Sequence, residues 1–256
     1  MTTPEPTGAG APAPPDWARP RVNLASTLTA ELVGRIVRGE YPPGTAMPAE
    51  QVLSEHFSVS RTVVREAVKM LQEKGMLQVR QGSGTTVTRP ELWHMLDELV
   101  LSATIAEPDG LDVLDDLVVT RRLLESDMAD VAARRADAGV LQDLELLVDT
   151  MDALVDDPVA YADQDRAFHD RIMRASGNRI ARAVVRALES QVGNTARYLG
   201  RPRRDLCVAS NRGHRTIYER IAAHDPEGAA AAMFTHITEA WVVRRGAPGN
   251  PARLRR

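Results

Sequence analysis

Residues 43–87 read PGTAMPAEQVLSEHFSVSRTVVREAVKMLQEKGMLQVRQGSGTTV. Apolar periodicity predicts a short helix over 49–57 and a longer one over 61–74, separated by a tight turn. The inner face of the first helix is predicted to hold Val52, Leu53 and Phe57. Pro48 stands where a first-turn proline costs no hydrogen bond, and Ser60 is a favourable N-cap for the second helix. The pattern predicts a helix-turn-helix.

A Gly-rich hairpin follows the second helix. Gly75 is predicted to end that helix, and the segments 77–80 and 85–88 alternate around the turn 81–84. Two helices followed by a two-stranded wing form a winged helix-turn-helix. An amphipathic helix over 24–39 is predicted to brace the motif, with an inner face of Leu24, Leu28, Leu32, Ile36 and Val37.

The second helix of the motif has a polar outer face. The helix is predicted to bury Val64, Val68 and Leu71 and to expose Arg61, Thr62, Arg65 and Lys69. Guanidinium forks and a hydroxyl in its first turns suit guanine edges and phosphates in a DNA major groove. We therefore expect Arg61 and Arg65 at base edges, with Lys69 and the wing nearer phosphates. The alternative is an ordinary solvated helix face.

The length and the charge of the chain fit a two-domain protein. Its 256 residues carry a formal net charge of −3, whereas proteins that coat nucleic acid tend to be basic overall. Basic residues concentrate in the winged motif and Asp is frequent over 107–170, so a DNA-binding head and an acidic body are predicted. We assign the head to residues 21–89 and the body to residues 90–246.

Both termini are predicted to be tails. Residues 1–20 are rich in Pro, Gly, Ala and Thr and are expected to be disordered, and residues 247–256 are expected to fray. The sequence shows no signal-peptide pattern and no apolar stretch approaching the ~18 residues of a membrane span. The single cysteine, Cys207, excludes an intramolecular disulfide framework and fits a reducing compartment. A cytoplasmic protein without a membrane partner is expected.

The body shows only helical periods. Helices are predicted over 91–106, 111–137, 140–155, 159–176, 179–199, 203–224 and 226–245. Each break carries Pro, Gly or Asp signals for a helix end or start. Seven helices with short connections predict an antiparallel all-α bundle, so the fold class is mainly α with a small β-hairpin wing.

Three histidines and one aspartate fall on inward helix faces of this bundle. Asp165 and His169 lie four residues apart on one apolar face, and His214 and His236 lie on the apolar stripes of the last two helices. A single inward histidine is most often a satisfied core residue. Four such groups each need a buried polar partner, and a divalent cation satisfies them together. Three imidazoles and a carboxylate suit zinc first, with nickel, manganese or iron as alternatives.

Arg121 is predicted to point inward, because it shares a helical stripe with Leu114, Leu117, Leu124 and Met128. A buried arginine needs an acceptor. One reading is an internal pair with Glu125 or with an Asp of the acidic body. The other is a clamp for the carboxylate of a bound effector.

The winged motif resembles the DNA-binding domain of the GntR family of bacterial transcription regulators. The likeness is carried by PGTAMPAE at 43–50, VSRTVVREAVKMLQEKGML at 59–77 and QGSGTTV at 81–87. Family members usually have an arginine where this chain has Gln51, and in the fatty-acid-regulator branch that arginine contributes to base reading. The resemblance implies operator DNA as partner, and it adds Gln51, Gln81 and Gly82 to the candidate DNA-binding residues.

The body resembles the FCD ligand-binding domain of the fatty-acid-regulator subfamily. The matching pieces are TRRLLESDMADVAARRA at 120–136, DRAFHDRIMRASGN at 165–178, NRGHRTIYERI at 211–221 and the helix of His236. In metal-binding members an Asp-x3-His pair and two later histidines bind the metal, which implies that role for Asp165, His169, His214 and His236. The resemblance also supports an effector clamp at Arg121. Asn178 is a second effector candidate, although its place at a helix start suits an N-cap equally.

Three functions are compatible with these features. The leading hypothesis is a homodimeric, ligand-responsive regulator, most often a repressor in this family, that binds a metal and a small organic or sugar acid. The second is a metal sensor, in which the ion itself is the signal. The third is a metal-dependent hydrolase, which is disfavoured because no HExxH-type helix supplies a general base and the DNA-binding domain would have no use. We therefore expect no enzymatic activity.

Overall fold

The computed structural model describes residues 23–80, 84–192, 198 and 203–245, and the statements below refer to them. The chain separates into two units, one of residues up to 36 with 41–92, the other of residues 37–40 with those from 93 onward. The tails predicted for 1–20 and 247–256 lie outside the described residues. No helix in the described ranges is long and apolar enough to cross a lipid bilayer.

The first unit is a winged helix-turn-helix, as predicted. Its elements are the helices α1 (Leu24–Val37), α2 (Glu50–Phe57) and α3 (Arg61–Glu73) and the strands β1 (Leu77–Arg80) and β2 (Gly84–Val87). The two strands pair antiparallel, with Leu77 opposite Val87, and Ala46 bridges to Thr86 on the free side of the wing. The buried side chains include Leu28, Leu32, Ile36, Leu53, Val64, Leu71 and Met76.

Local signals set the turn between α2 and α3. Ser58 adopts a left-handed φ of 53°, and its N–H donates to the Glu55 carbonyl at the end of α2. The Ser60 hydroxyl accepts a hydrogen bond from the Val63 N–H at 3.3 Å, which caps α3 as predicted. Gly75, at φ 74°, turns the chain from α3 towards the wing.

Two apolar residues predicted to face inward are exposed instead. Leu24 is 52% exposed and Val52 is 54% exposed. Leu24 is the first residue of α1, and the buried face of that helix begins at Ala25, so the first turn extends beyond the core. On the eight-residue α2 only Leu53 is buried, because so short a helix packs along one narrow line. Similarly, α3 buries Ala67 where Val68 was expected.

The second unit is the predicted seven-helix, all-α bundle. Its described α-helices are α4 (Glu98–Ala106), α5 (Gly110–Arg135), α6 (Ala138–Ala153), α7 (Pro158–Ser176), α8 (Arg179–Val192), α9 (Arg204–Ala222) and α10 (Pro226–Arg245). The long α5 packs against α7 and α10, and α10 also packs against α9. Their contact surfaces contain buried side chains such as Leu114, Met128, Phe168, Ile172, Ile217 and Met233.

Aspartate caps explain where several bundle helices begin. A helix was predicted from residue 91, but only a 3-10 turn (Pro90–Leu92) forms there. The α-helix begins at Glu98, because the Asp97 side chain accepts hydrogen bonds from the Leu99 and Val100 N–H groups. Asp137 and Asp157 cap α6 and α7 in the same way, so both helices begin one or two residues before their predicted starts.

Replacing the cap of the recognition helix should destabilise that helix. Ser60→Ala removes the acceptor for the Val63 N–H and should lower the free energy of opening α3 by about 1 kcal/mol. Hydrogen exchange of the α3 amides measures this. Ser26→Ala is the control, because among described residues the Ser26 hydroxyl makes no hydrogen bond. Equal effects of the two substitutions on α3 would contradict the capping role.

Candidate functional site

The structure brings together the four residues predicted as metal ligands. Asp165 and His169 come from α7, His214 from α9 and His236 from α10. One potential ligand atom from each lies within 4.8 Å of the others. The three histidines are buried, whereas the Asp165 side chain is 21% exposed. We call these four residues the ligand cluster.

Helical periodicity places each member of the cluster. Asp165 and His169 are one turn apart on α7, so their side chains stack on the same face. The buried Ile217 lies three residues after His214, and the buried Met233 lies three residues before His236, so each pair shares a helix face. Packing of these apolar neighbours therefore fixes the directions in which the imidazoles project.

His169 is oriented by a buried carboxylate that the sequence did not identify as a partner. The Nδ1 atom of His169 lies 2.6 Å from Oε2 of Glu125 on α5. Burial by itself favours the neutral form of both groups. The Glu125 carboxylate nevertheless raises the pKa of His169, and the charges of Arg121 and His169 lower the pKa of Glu125 to about 2. A histidine held through Nδ1 by a carboxylate presents Nε2 to a metal, an arrangement common in metalloproteins.

Among the described residues, His214 has hydrogen-bond partners on Nδ1 alone. Its Nδ1 lies 3.3 Å from the Tyr161 hydroxyl and 3.4 Å from Oδ1 of Asn211. Its buried Nε2 lies 3.2 Å from Oδ1 of Asp165 but has no partner in hydrogen-bonding geometry. Burial lowers the pKa of His214, although Asp165 opposes the shift. The neutral imidazole thus directs an unsatisfied nitrogen towards the cluster.

His236 completes the cluster through a close helix approach. Its Nε2 lies 3.3 Å from Nε2 of His169. Burial, followed by the nearby His214 and His169, lowers the pKa of His236 well below its usual value. A Cβ atom at Gly213 would lie 2.5 Å from Nδ1 of His236. Only glycine at that position of α9 leaves room for the ring.

The donor set fits a divalent transition metal. One potential ligand atom from each of three imidazoles and one carboxylate converge, and within the described residues the buried Nε2 of His214 has no hydrogen bond. A cation between these atoms would satisfy the His214 nitrogen and separate the two ring nitrogens that face each other. Nitrogen-rich sets with one carboxylate suit zinc and its neighbours in the first transition row better than magnesium or calcium.

A cavity of about 420 Å³ adjoins the cluster, and we call it the bundle cavity. Asp165 and His236 form part of its wall, and a smaller cleft that includes His169 and Arg244 continues from these residues. The volume lies within the range of sites for small organic ligands. A molecule in the bundle cavity would therefore lie beside the ligand cluster.

Arg121 points inward, as predicted, and lies on the wall of the bundle cavity. Its Nε donates to Glu125 at 2.8 Å, its Nη2 pairs with Glu189 at 2.8 Å, and its Nη1 donates to the Tyr198 hydroxyl. Burial disfavours the charged form, but these neighbours raise the pKa of Arg121. The structure therefore contains the internal pair that the sequence offered as one reading. The clamp for an effector carboxylate stays a prediction.

Asn178 caps a helix. It is exposed, and its Oδ1 accepts a hydrogen bond from the Ala181 N–H at 3.0 Å, at the start of α8. Among described residues it is not part of the wall of the bundle cavity. The capping reading accounts for this side chain, and its effector role stays a prediction without a supporting contact.

The predicted DNA-reading residues lie on exposed surfaces of the first unit. Arg61, Thr62, Arg65 and Lys69 on α3 and Gln51 on α2 are all exposed. Arg65 pairs through Nε with Glu50 at 2.7 Å, a contact between α2 and α3. Gln51 donates to Glu55 on the same helix. Gln81 and Gly82 of the wing turn lie outside the described residues.

Comparisons with known proteins agree with both units. The family described as "Bacterial regulatory proteins, gntR family" matches residues 24–87, and the FCD domain matches residues 116–239. The HTH-type transcriptional regulator Mce2R of Mycobacterium tuberculosis (strain CDC 1551 / Oshkosh) is 31% identical over 216 residues, which cover 83% of this chain and 88% of that protein. The Galactonate operon transcriptional repressor of Escherichia coli (strain K12) is 24% identical over 216 residues, which cover 84% of this chain and 94% of that protein.

A solved structure shares the fold. The Listeria monocytogenes protein Lar superposes with a TM-score of 0.54 at 18% identity, covering 86% of this chain and 95% of that one.

Gly213 should tolerate no larger side chain. Gly213→Ala places a methyl group against the His236 ring and should lower the free energy of unfolding of the bundle by about 1–3 kcal/mol. The matched control is Gly139→Ala in α6, where the new Cβ meets its nearest neighbour at 3.4 Å. That substitution should stabilise the bundle by about 0.4–1 kcal/mol. Urea denaturation of both variants measures the difference, and a neutral Gly213→Ala would contradict the close approach.

Proposed function

The chain belongs to the GntR family of bacterial regulatory proteins and carries an FCD domain, and we propose that it is a metal-containing repressor that releases its operator when a small acid binds in the bundle cavity. The observation that carries the proposal is the convergence of three histidines and an aspartate beside that cavity. Since operator DNA is its partner, we place the protein in the cytoplasm.

Operator recognition is assigned to the exposed face of α3. Arg61 and Arg65 lie in its first two turns, the part of a recognition helix that meets base edges, and Lys69 follows one turn later. The Arg65 side chain is 64% exposed and forms a surface ion pair with Glu50 of α2. We propose a homodimer, because a two-fold protein matches a pseudo-palindromic operator.

The metal is assigned to the ligand cluster, with zinc as the first candidate and nickel, manganese or iron as alternatives. A bound ion would supply a Lewis-acidic centre at the wall of the bundle cavity. The residues of the chain hold and orient that centre: Glu125 fixes His169, and Tyr161 and Asn211 fix His214.

The effector is assigned to the bundle cavity, where an organic or sugar acid would pair with an arginine of the wall. The relative from Escherichia coli is named for a galactonate operon, so a sugar acid is one candidate class. For Arg121 to clamp such an acid, the acid must replace Glu189, whose pKa is raised by burial. Effector binding would then exchange one carboxylate for another and free the Glu189 side chain of α8.

A cavity beside the cluster favours an effector-responsive regulator over a pure metal sensor. A sensor needs no space for an organic molecule, whereas about 420 Å³ adjoins Asp165 and His236. Operator binding that changes with metal but with no carboxylic acid would instead support the sensor.

Removing one recognition arginine should weaken operator binding. Arg65→Ala should cost about 1–3 kcal/mol of binding free energy at matched salt and relax one position in each half-site. Fluorescence anisotropy with operators selected from a random library gives both quantities. Arg186→Ala, which removes an exposed arginine from α8 in the bundle, is the charge-matched control. If both variants bind alike, the recognition-helix assignment is wrong.

Purified protein should contain about one divalent transition metal per chain. His214→Ala and Asp165→Asn each remove one ligand and should lose the metal to a chelator at concentrations that leave the parent loaded. His94→Ala, an exposed histidine of the same unit outside the cluster, should behave as the parent. Elemental analysis after dialysis measures the content. Retention of metal by both ligand variants would make these histidines ordinary core residues.

A further inference from the structure

The neutral ring of His214 can carry its proton on either nitrogen, and only one of the two forms suits a metal. With the proton on Nδ1, the Nε2 atom keeps a lone pair on the side of the ligand cluster. With the proton on Nε2, that lone pair is lost and the N–H instead faces Asp165, whose Oδ1 lies 3.2 Å away. The neighbours of Nδ1 therefore decide whether His214 can bind a cation as it stands.

Two side chains lie beside Nδ1 of His214. The Tyr161 hydroxyl is 3.3 Å away, and Oδ1 of Asn211 is 3.4 Å away. A hydroxyl both donates and accepts, so Tyr161 is compatible with either form of the ring. An amide oxygen only accepts. Asn211 therefore favours a proton on Nδ1, provided that its oxygen and not its nitrogen faces the ring.

The orientation of the Asn211 amide is set by α6. Its Nδ2 donates to the Val148 carbonyl at 3.1 Å and to Oδ1 of Asp152 at 2.5 Å. Because both partners are acceptors, a reversed amide would place its oxygen against two other oxygens. Asn211 is 2% exposed, so solvent would not compensate for the lost hydrogen bonds. The amide oxygen is assigned to His214 on this basis.

Asp152 is itself held at the surface of the bundle. Its Oδ2 pairs with Arg215 at 2.8 Å, and Arg215 also pairs with Asp149 of α6 at 2.7 Å. A chain of contacts thus runs from an exposed carboxylate of α6 through the buried Asn211 to the ring of His214. In this way α6 reaches the ligand cluster, although the four members of the cluster come from other helices.

We propose that Asn211 is a positioning residue that holds His214 in the form protonated on Nδ1, and that α6 fixes this form through Asp152. The inference rests on the proposed metal centre at the ligand cluster. The arrangement parallels that of His169, whose Nδ1 is held by Glu125, but it uses a neutral amide in place of a carboxylate. Partners of metal-binding histidines commonly change metal affinity by about 10–100-fold.

Heteronuclear NMR of the metal-free protein shows which nitrogen carries the proton. Two-bond proton–nitrogen correlations of histidine-labelled protein distinguish the two forms, and comparison with His214→Gln assigns the signals of His214. At a pH where the imidazole is neutral, we expect the parent ring to be protonated on Nδ1. Asn211→Ala should shift the proton towards Nε2, on the side of Asp165. A parent ring protonated on Nε2, or an unchanged ring in Asn211→Ala, would overturn the proposal.

Zinc affinity measures the consequence for the ligand cluster. In competition with a chromophoric chelator, Asn211→Ala should bind zinc about 10–100-fold more weakly than the parent. Tyr161→Phe removes the other neighbour of Nδ1 and should keep the parent form of the ring in the NMR experiment. Parent-like zinc affinity of Asn211→Ala would contradict the positioning role. A changed ring in Tyr161→Phe alone would assign that role to Tyr161 instead.

A matched pair of surface variants tests the contact with α6. Asp152→Ala and Asp149→Ala each remove an exposed carboxylate that pairs with Arg215, but only Asp152 accepts from Asn211. Asp152→Ala should weaken zinc binding about two- to tenfold, because the amide loses one of its two acceptors. Asp149→Ala should bind zinc as the parent does. Equal affinities of the two variants would refute the part of α6, and this comparison decides the matter even if Asn211→Ala does not fold.

The same measurements separate this inference from the proposed function. A parent protein that binds no divalent transition metal would reject the proposed metal centre, whereas the NMR comparison of metal-free proteins would still decide what Asn211 does to His214. A parent that binds zinc but carries the His214 proton on Nε2 when metal-free would reject this inference and leave the metal centre standing.

Discussion

The bundle depends on satisfying three buried imidazoles and a partly exposed carboxylate that are packed against one another. A buried polar group without a partner is costly, and the Nε2 atoms of His169 and His236 face each other at 3.3 Å. The surrounding residues are arranged around this constraint. Glu125 fixes His169, Tyr161 and Asn211 fix His214, and Arg121 balances the charge of Glu125. Four helices, α5, α7, α9 and α10, are thereby held in one mutual arrangement, which a central cation would complete.

The same residues offer a small acid contacts with more than one helix of the bundle. An effector shifts a protein between two states only by binding one of them more tightly. The ligand cluster and the bundle cavity share Asp165 and His236, so a carboxylate placed there meets groups of α7 and α10 together. Glu189 on α8 is a partly exposed carboxylate that already pairs with Arg121 of α5, as a ligand carboxylate would. If a bound acid replaced Glu189 at Arg121, the contact between α5 and α8 would change. Binding of the acid could in this way alter the position of α8.

Much of the fold could be predicted because it follows from periodicity. Three features depend only on local sequence, and the structure contains each of them: the apolar faces of the bundle helices, the Ser60 cap and the exposed face of α3. Asp165 and His169 could be paired because they are one turn apart. Glu125 could not be assigned to His169, since 44 residues separate them. The need for glycine at position 213 likewise arises only when α9 and α10 pack. The prediction that Leu24 and Val52 face the core was wrong, because periodicity shows which side of a helix is apolar but not how far the core extends along it.

X-ray absorption at the metal edge tests the central claim, that the ligand cluster is a metal centre built by these four side chains. For the zinc-loaded protein we predict a first shell of nitrogen and oxygen atoms at about 2.0–2.1 Å, with the multiple scattering of three imidazoles. His236→Ala should reduce the imidazole number to two if zinc is retained. A first shell with sulfur, or one with at most one imidazole in the parent protein, would contradict the account.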